Sequence, residues 1–188
     1  MPPPPRILAF SGSARRESLN RKFLAVAVPA VRAAGGEVTL IDLNDYVLPL
    51  YHGDLEEAGG LPANAAKLIE LITQHTALLI ASPEYNSMIT PLLKNTLDWC
   101  TRADDNPFEG KVAAVISASP GALGAVRSLV LAQQLLLKLG CHVVPGQVFL
   151  PHADQAFDAA GVLKESRVGQ GVEKMAAALV RTAARFVD

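Results

Sequence analysis

Short apolar runs of strand length alternate along this chain with longer stretches of helical periodicity. The runs do not alternate between apolar and polar residues, and they lie at residues 7–10, 38–41, 77–81, 112–117 and 142–144. This pattern is typical of parallel strands that are buried on both faces of a sheet. Helical patterns follow each run, at about residues 19–34, 62–74, 91–101, 122–139 and 164–186. The sequence therefore predicts one β-α plan, repeated along the chain.

Glycine and proline residues mark the helix ends. Gly35 and Gly36 follow the first predicted helix and Gly140 follows the fourth, whereas Pro62 and Pro91 stand in first-turn positions, where a missing N–H is tolerated. Right-handed crossovers between parallel strands place helices on both faces of the sheet. We predict an α/β fold, a flavodoxin-like three-layer sandwich with a five-stranded parallel sheet in the order 2-1-3-4-5. In such a sheet the loops after strands one, three and four meet at one ligand site.

Length and composition restrict the class of protein. The 188 residues suit one domain, predicted at residues 6–188 after a proline-rich tail at 1–5, with residues 53–60 as a flexible polar loop. Hydrophobic residues make up 50% of the chain and the net charge is −1, which argues against disorder, nucleic-acid binding and membrane adhesion.

There is no apolar run of ~18 residues and no signal-peptide pattern. Two isolated cysteines, Cys100 and Cys141, suit a reducing compartment, so we expect a cytoplasmic protein with a small-molecule partner.

The loop after the first strand, SGSARRESLN, predicts an anion site. It leads into a helix, where free N–H groups and the helix dipole favour negative charge. The hydroxyls of Ser11, Ser13 and Ser18 and the amide of Asn20 are candidate donors to a phosphate, and Arg15 is a candidate counter-charge. The alternative is that Ser18 only caps the helix, Arg15 is solvated and nothing binds there.

The features that this loop lacks narrow the choice of phosphate ligand. Gly12 is its only glycine, so it is not the G-x-G-x-x-G loop that admits a pyrophosphate. No Gly-Lys-Ser/Thr follows, so it is not a P-loop either. The remaining option is the terminal phosphate of a mononucleotide such as FMN.

The loop after the third strand, SPEYN, offers groups that suit a flat heteroaromatic ring. Pro83 stiffens the exit from the strand, Tyr85 supplies an amphipathic ring, and Asn86 carries both donors and acceptors. In the helix that follows, Lys94 and Asp98 have the spacing of an ordinary i,i+4 ion pair. Trp99 is predicted to lie in the core or at a subunit interface, and His52 on a surface loop.

The segments GSARRESLN, PEYNSMITPLLKNTLDW and SPGALGAVR together resemble the NADPH-dependent FMN reductase family, which includes chromate and quinone reductases and some azoreductases. The resemblance runs from about residue 7 to 148. It implies that Ser13, Leu19 and Asn20 belong to a loop holding the FMN phosphate. It further implies that residues of the other two loops lie along the flavin ring, namely Pro83, Glu84, Tyr85, Asn86 and Ser87 on one side and Ser119, Gly121 and Gly124 on the other.

Two positions depart from the family pattern. Many members have Pro-Gly where this chain has Thr90-Pro91, and Gly-Gly where it has Gly124-Ala125. The first is expected to change the entry to the following helix, and the second adds a methyl group near the ring. Neither removes a predicted phosphate ligand.

The resemblance implies an enzyme that transfers hydride from NADPH or NADH through FMN to a quinone, chromate, an azo compound or free flavin. No side chain is needed as an acid or base, because the flavin carries the chemistry. The family forms homodimers or homotetramers, which would place Trp99 and residues 48–54 near an interface. The alternatives are a flavodoxin-like FMN electron carrier without reductase activity, which the balanced charge disfavours, and a non-catalytic sensor domain.

Overall fold

The computed structural model describes residues 3–186, which form a parallel sheet with helices on both faces. The strands are β1 (Arg6–Ser11), β2 (Glu37–Leu40), β3 (Ala77–Ala81), β4 (Val112–Ala118), β5 (His142–Val143) and β6 (Val148–Leu150). The helices are α1 (Leu19–Ala33), α2 (Gly53–Gly59), α3 (Ala63–Gln74), α4 (Pro91–Cys100), α5 (Val126–Lys138) and α6 (Ser166–Ala183), with a 3₁₀ turn at Leu43–Asp45.

The sheet has the predicted order, β2-β1-β3-β4-β5, and every pairing is parallel. The fifth position differs from the prediction because two short strands share it. β5 pairs with the start of β4 at Val112 and Ala113, and β6 pairs with its end at Ile116–Ala118. Pro145, which has no N–H to donate, and Gly146, with φ +112°, lie in the break between β5 and β6.

The core has two layers, one on each face of the sheet. Ile7 and Ala9 of β1 pack with α1 and α6, whereas Leu8 and Phe10 pack on the opposite face with α3, α4 and α5. The central strands β3 and β4 are buried along their whole length. This burial on both faces explains why the strand sequences do not alternate in polarity. No helix within residues 3–186 is both long enough and apolar enough to span a bilayer.

Three segments differ from the sequence predictions. Residues 53–59 form helix α2 instead of a flexible loop, and the imidazole of His52 caps it by accepting a hydrogen bond from the Asp54 N–H at 3.2 Å. Helix α5 begins at Val126 and not at residue 122, because Gly124 and Ala125 have left-handed φ angles of +57° and +62°. Of the predicted tail, Met1 and Pro2 lie outside the described residues, and Pro5 is buried, with its carbonyl accepting from the Glu37 N–H.

Candidate functional site

The loops after β1, β3 and β4 enclose one cleft of about 150 Å³ at the carboxyl edge of the sheet. Nine of the fourteen predicted site residues line it: Ser13, Arg15, Ser18, Leu19, Asn20, Pro83, Glu84, Tyr85 and Ser119. Ala118 and Pro120 also line it. Pro120 lies in the predicted loop at residues 119–124, whereas Ala118 was not predicted, because it is an apolar residue whose position at the end of β4 is its only signal.

The serines at the start of α1 are arranged as hydrogen-bond donors to the cleft. The Ser18 hydroxyl oxygen accepts from the Arg21 N–H at 3.4 Å and so caps the helix, while Ser13 Oγ accepts from the Arg15 N–H at 3.3 Å. Each hydroxyl thereby uses an acceptor site and keeps its hydrogen for a ligand. With the Arg15 side chain and the N-terminus of α1 beside them, the donor set fits a phosphate. Capping and phosphate binding by Ser18 are therefore compatible.

Asn20 has a structural role besides its place in the cleft. Its Nδ2 donates to the Ala118 carbonyl at 2.8 Å, and its Oδ1 accepts from the Ala118 N–H at 3.0 Å. The side chain is buried and lines the cleft, and one of its two Nδ2 hydrogens stays free to donate to a ligand there. Asn20 also holds the start of α1 against the end of β4.

Ser11 was predicted to contact the phosphate, but the structure places it elsewhere. It does not line the cleft, and it contributes to a separate cavity with Leu24 and Leu40. Strand β1 alternates between the two faces of the sheet, and Ser11 follows Ile7 and Ala9 toward the α1 side.

The Tyr85 loop ends in a tight hairpin turn. Tyr85 and Met88 exchange main-chain hydrogen bonds of 3.0 Å in both directions, and Asn86 and Ser87 between them have φ angles of +51° and +66°. These angles are those of a type I′ turn. The turn leaves the Tyr85 side chain 49% exposed at the edge of the cleft, whereas Asn86 and Ser87 form its tip and do not line the cleft.

Glu84 lines the cleft, and its carboxylate is bound by the first residues of helix α5. Its Oε1 accepts from Arg127 Nε at 2.9 Å and from an Arg127 terminal nitrogen at 2.6 Å, and its Oε2 accepts from the Ser128 N–H at 3.1 Å. The Glu84 side chain is 9% exposed. This pair therefore ties the Tyr85 loop to the start of α5.

Gly121 and Gly124 do not line the cleft either. A Cβ atom on Gly124 would lie 2.8 Å from the Pro151 nitrogen and 2.9 Å from the Leu150 carbonyl carbon, so this glycine allows the loop to pass close to the end of β6. Gly121 is exposed and has open space around it apart from the Ser119 hydroxyl at 3.7 Å.

The sequence profile of the NADPH-dependent FMN reductase family matches residues 5–155. The chain belongs to this family. An NAD(P)H-dependent FMN reductase of Pseudomonas aeruginosa is 35% identical over 175 residues, which cover 93% of this chain and 92% of that protein. A quinone reductase of Escherichia coli is 32% identical over 146 residues, which cover 77% of this chain and 76% of that protein.

Solved structures agree with this assignment. FerB of Paracoccus denitrificans, described as a flavoenzyme NAD(P)H:(acceptor) oxidoreductase, matches with a TM-score of 0.82 and 28% identity, covering 96% of this chain and 98% of that one. An archaeal flavodoxin matches with a TM-score of 0.61 at 9% identity and shares the fold alone. As a member of the reductase family, this chain is an oxidoreductase that uses FMN as cofactor and NAD(P)H as electron donor.

Thr90-Pro91, where many family members have Pro-Gly, has a structural role. Thr90 caps helix α4 by accepting from the Leu93 N–H at 3.2 Å, and it donates to the Gly12 carbonyl at 2.6 Å. A Cβ atom on Gly12 would lie 2.9 Å from Leu93 Cβ. Thr90 and Gly12 therefore hold the first loop of this family member against α4.

The remaining predicted side chains have structural roles. Lys94 Nζ and the Asp98 carboxylate form the expected ion pair at 2.6 Å, and Trp99 is fully buried, with its Nε1 donating to the Pro49 carbonyl at 2.8 Å.

Burial raises the pKa of the Cys100 and Cys141 thiols to about 12, so both are unreactive. Within residues 3–186, no group of His, Cys, Asp and Glu side chains is arranged to hold a metal.

Proposed function

We propose that FMN binds between the first, third and fourth loops, with its phosphate end in the cleft, and that the electrons pass to a small quinone. One observation carries the proposal: the hydroxyl and guanidinium donors at the start of α1 and the exposed Tyr85 turn border the same cleft. A quinone acceptor is supported by the names of relatives, among them the E. coli quinone reductase and an Arabidopsis thaliana NADPH:quinone oxidoreductase that is 34% identical over 84% of this chain.

Bound FMN supplies the hydride chemistry. The chain's own contribution is to bind and orient. Ser13, Ser18 and Arg15 bind the phosphate, and the stiff turn at Tyr85 positions the ring. Hydride transfer needs no general acid or base. Among residues 3–186, the carboxylate that borders the cleft is that of Glu84, and Arg127 holds it.

We also propose a homodimer or homotetramer in the cytoplasm. The cleft volume of about 150 Å³ suits the phosphate end of FMN and leaves the ring outside it, where a second copy could cover it. Large apolar side chains are exposed at Val47 (74%), Leu50 (79%) and Met88 (55%), on segments that adjoin α4 and the Tyr85 turn. Two buried cysteines in thiol form suit a reducing compartment. Light scattering in solution measures the oligomeric state.

The activity is tested by incubating the purified protein with FMN and following NADPH and NADH absorbance, first alone and then with quinone, chromate, azo dye and free flavin. We expect acceptor-dependent oxidation, fastest with a quinone. If FMN stays bound but NAD(P)H is not steadily oxidised with any acceptor, the result would instead support the alternative of a flavodoxin-like electron carrier.

A further inference from the structure

Glu84 brings a negative charge to the cleft that the FMN phosphate is proposed to occupy. Within residues 3–186, the charged side chains that line this cleft are those of Arg15 and Glu84, and their two charges cancel. A phosphate ester carries about −1.5 to −2 charges at neutral pH, so the Glu84 carboxylate repels the proposed ligand. Phosphate binding therefore requires that a group outside the lining compensates the charge of Glu84.

Helix α5 binds both oxygens of the Glu84 carboxylate. Arg127 Nε and a terminal nitrogen of Arg127 donate to Oε1 at 2.9 and 2.6 Å, and the Ser128 N–H donates to Oε2 at 3.1 Å. Ser128 is the third residue of α5, so the carboxylate lies at the positive end of the helix dipole. The guanidinium supplies a full positive charge and the helix end a partial one.

Glu84 in turn serves as the cap of α5. The residue before this helix, Ala125, has a left-handed φ of +62° and a side chain that accepts no hydrogen bond. The Glu84 carboxylate, 44 positions from Ser128 in the sequence, supplies the missing acceptor. Helix α1 is instead capped by the neutral hydroxyl of Ser18. An anionic ligand is thus directed to α1, because the N-terminus of α5 already holds an anion.

The exposure of the ion pair indicates that its charge matters more to the cleft than to the stability of the fold. The Arg127 side chain is 55% exposed and that of Glu84 is 9% exposed. An ion pair with one partner so exposed contributes little to folding. The Ser128 hydroxyl also donates to the Pro83 carbonyl at 2.6 Å, which ties the same loop to α5 without a charge. We therefore expect the loop to keep its place without Arg127.

We propose that Arg127 is a positioning residue that neutralises Glu84 and so allows the cleft to attract a phosphate. With Arg127 the charges of Arg15, Glu84 and Arg127 sum to +1, and without Arg127 they sum to zero. This inference rests on the proposed function, in which the phosphate end of FMN occupies the cleft. Because Arg127 acts through Glu84, its removal matters only while residue 84 carries a charge.

Titration of the protein with FMN, and with riboflavin, which lacks the phosphate, tests this role. Arg127→Ala should raise the dissociation constant of FMN about fivefold to tenfold, because repulsion by Glu84 is then only partly screened, and that of riboflavin less than about twofold. The double variant Glu84→Gln/Arg127→Ala lacks the same ion pair but has no charge at residue 84. Its affinity for FMN should return to within about twofold of the wild type, and the difference between the two variants should shrink as salt is added.

The ion pair on α4 provides the matched control, since neither Lys94 nor Asp98 lines the cleft. Lys94→Ala and Lys94→Ala/Asp98→Asn should bind FMN equally well. The proposal is overturned if Arg127→Ala leaves FMN affinity unchanged, or if Arg127→Ala and its double variant lose FMN affinity equally. It is also overturned if Arg127→Ala weakens FMN and riboflavin equally, because Arg127 would then act by holding the loop.

Arg15→Ala separates a failure of this inference from a failure of the proposed function. If Arg15→Ala weakens FMN binding and Arg127→Ala does not, the phosphate site stands and the role of Arg127 is refuted. If neither variant changes FMN affinity, the phosphate does not occupy this cleft, and both proposals fail. These titrations do not depend on turnover, so they are independent of which acceptor takes the electrons.

Discussion

The side-chain amide of Asn20 forms two hydrogen bonds with the main chain of Ala118, one through each end, at 2.8 and 3.0 Å. The two residues are 98 positions apart in the sequence. Asn20 is in the first turn of α1, and Ala118 is the last residue of β4. This buried pair fixes the phosphate side of the cleft relative to the loop that begins at Ser119.

Asn20→Ala should therefore weaken both the fold and FMN binding. It leaves the Ala118 N–H and carbonyl without partners in a buried position, at a cost of about 2–4 kcal/mol in the free energy of unfolding. Urea denaturation measures this cost. The control is Asn64→Ala, which removes a single exposed hydrogen bond to the Val47 carbonyl and should cost less than about 1 kcal/mol. Similar losses for the two variants would contradict the role assigned to Asn20.

Arg15→Ala should lower FMN affinity without unfolding the protein. Arg15 lines the cleft, so the variant loses a charge-assisted hydrogen bond to the phosphate, which corresponds to about a tenfold to hundredfold rise in the dissociation constant. Fluorescence titration of FMN measures it. Arg16→Ala removes the same charge from the next residue, which does not line the cleft, and should change affinity less than about threefold, by screened electrostatics alone. Equal effects would remove the basis for the phosphate assignment.

Two glycines of the same loop should respond differently to alanine. Gly124→Ala places a methyl group within 3 Å of main-chain atoms of Leu150 and Pro151 at a left-handed φ of +57°, and we expect a loss of about 2–4 kcal/mol. Gly121→Ala meets only the Ser119 hydroxyl at 3.7 Å and should cost less than about 1 kcal/mol. Thermal unfolding of both variants checks this order, and the reverse order would show that the loop passes β6 differently.

His75 should make the fold less stable in mild acid. It is buried, and because the Leu71 carbonyl can only accept, Nδ1 carries the hydrogen toward it at 2.6 Å, while Nε2 lies 2.7 Å from the Thr39 hydroxyl. Burial, followed by the charges of Arg6 and Lys111, lowers the pKa of His75 below its usual 6.5. Near and below this usual histidine pKa, the unfolded chain binds more protons than the folded protein does. The free energy of unfolding therefore falls as the pH drops through the usual pKa toward the lowered one.

The pH dependence is measured by denaturant unfolding at several pH values between about 5 and 7.5, on either side of the ordinary histidine pKa. His75→Gln removes the titrating group and should flatten the curve. His52→Asn is the matched control, because His52 is exposed and asparagine can also cap α2. It should leave the slope of the wild type unchanged. A steep acid dependence that persists in His75→Gln would show that another group is responsible.

Local sequence predicted most of the architecture of this protein. The apolar runs identified β1 to β5 because strands buried on both faces need apolar residues at every position, and glycine and proline marked the helix ends because their backbone limits are intrinsic. The order β2-β1-β3-β4-β5 followed from the repeated β-α plan. The same rules also predicted that three loops meet at one edge, since the carboxyl ends of parallel strands lie together.

The tertiary structure decided how individual polar groups are used. The sequence predicted Ser11, Asn20 and Glu84 at the site, but the face of β1 directs Ser11 toward another cavity. Asn20 and Glu84 line the cleft and also bind Ala118 and Arg127, partners that the sequence did not indicate. Strand periods and loop composition depend on neighbours in sequence, whereas the partner of a polar side chain depends on which distant backbone lies within about 3 Å of it. Only the packed chain determines that partner.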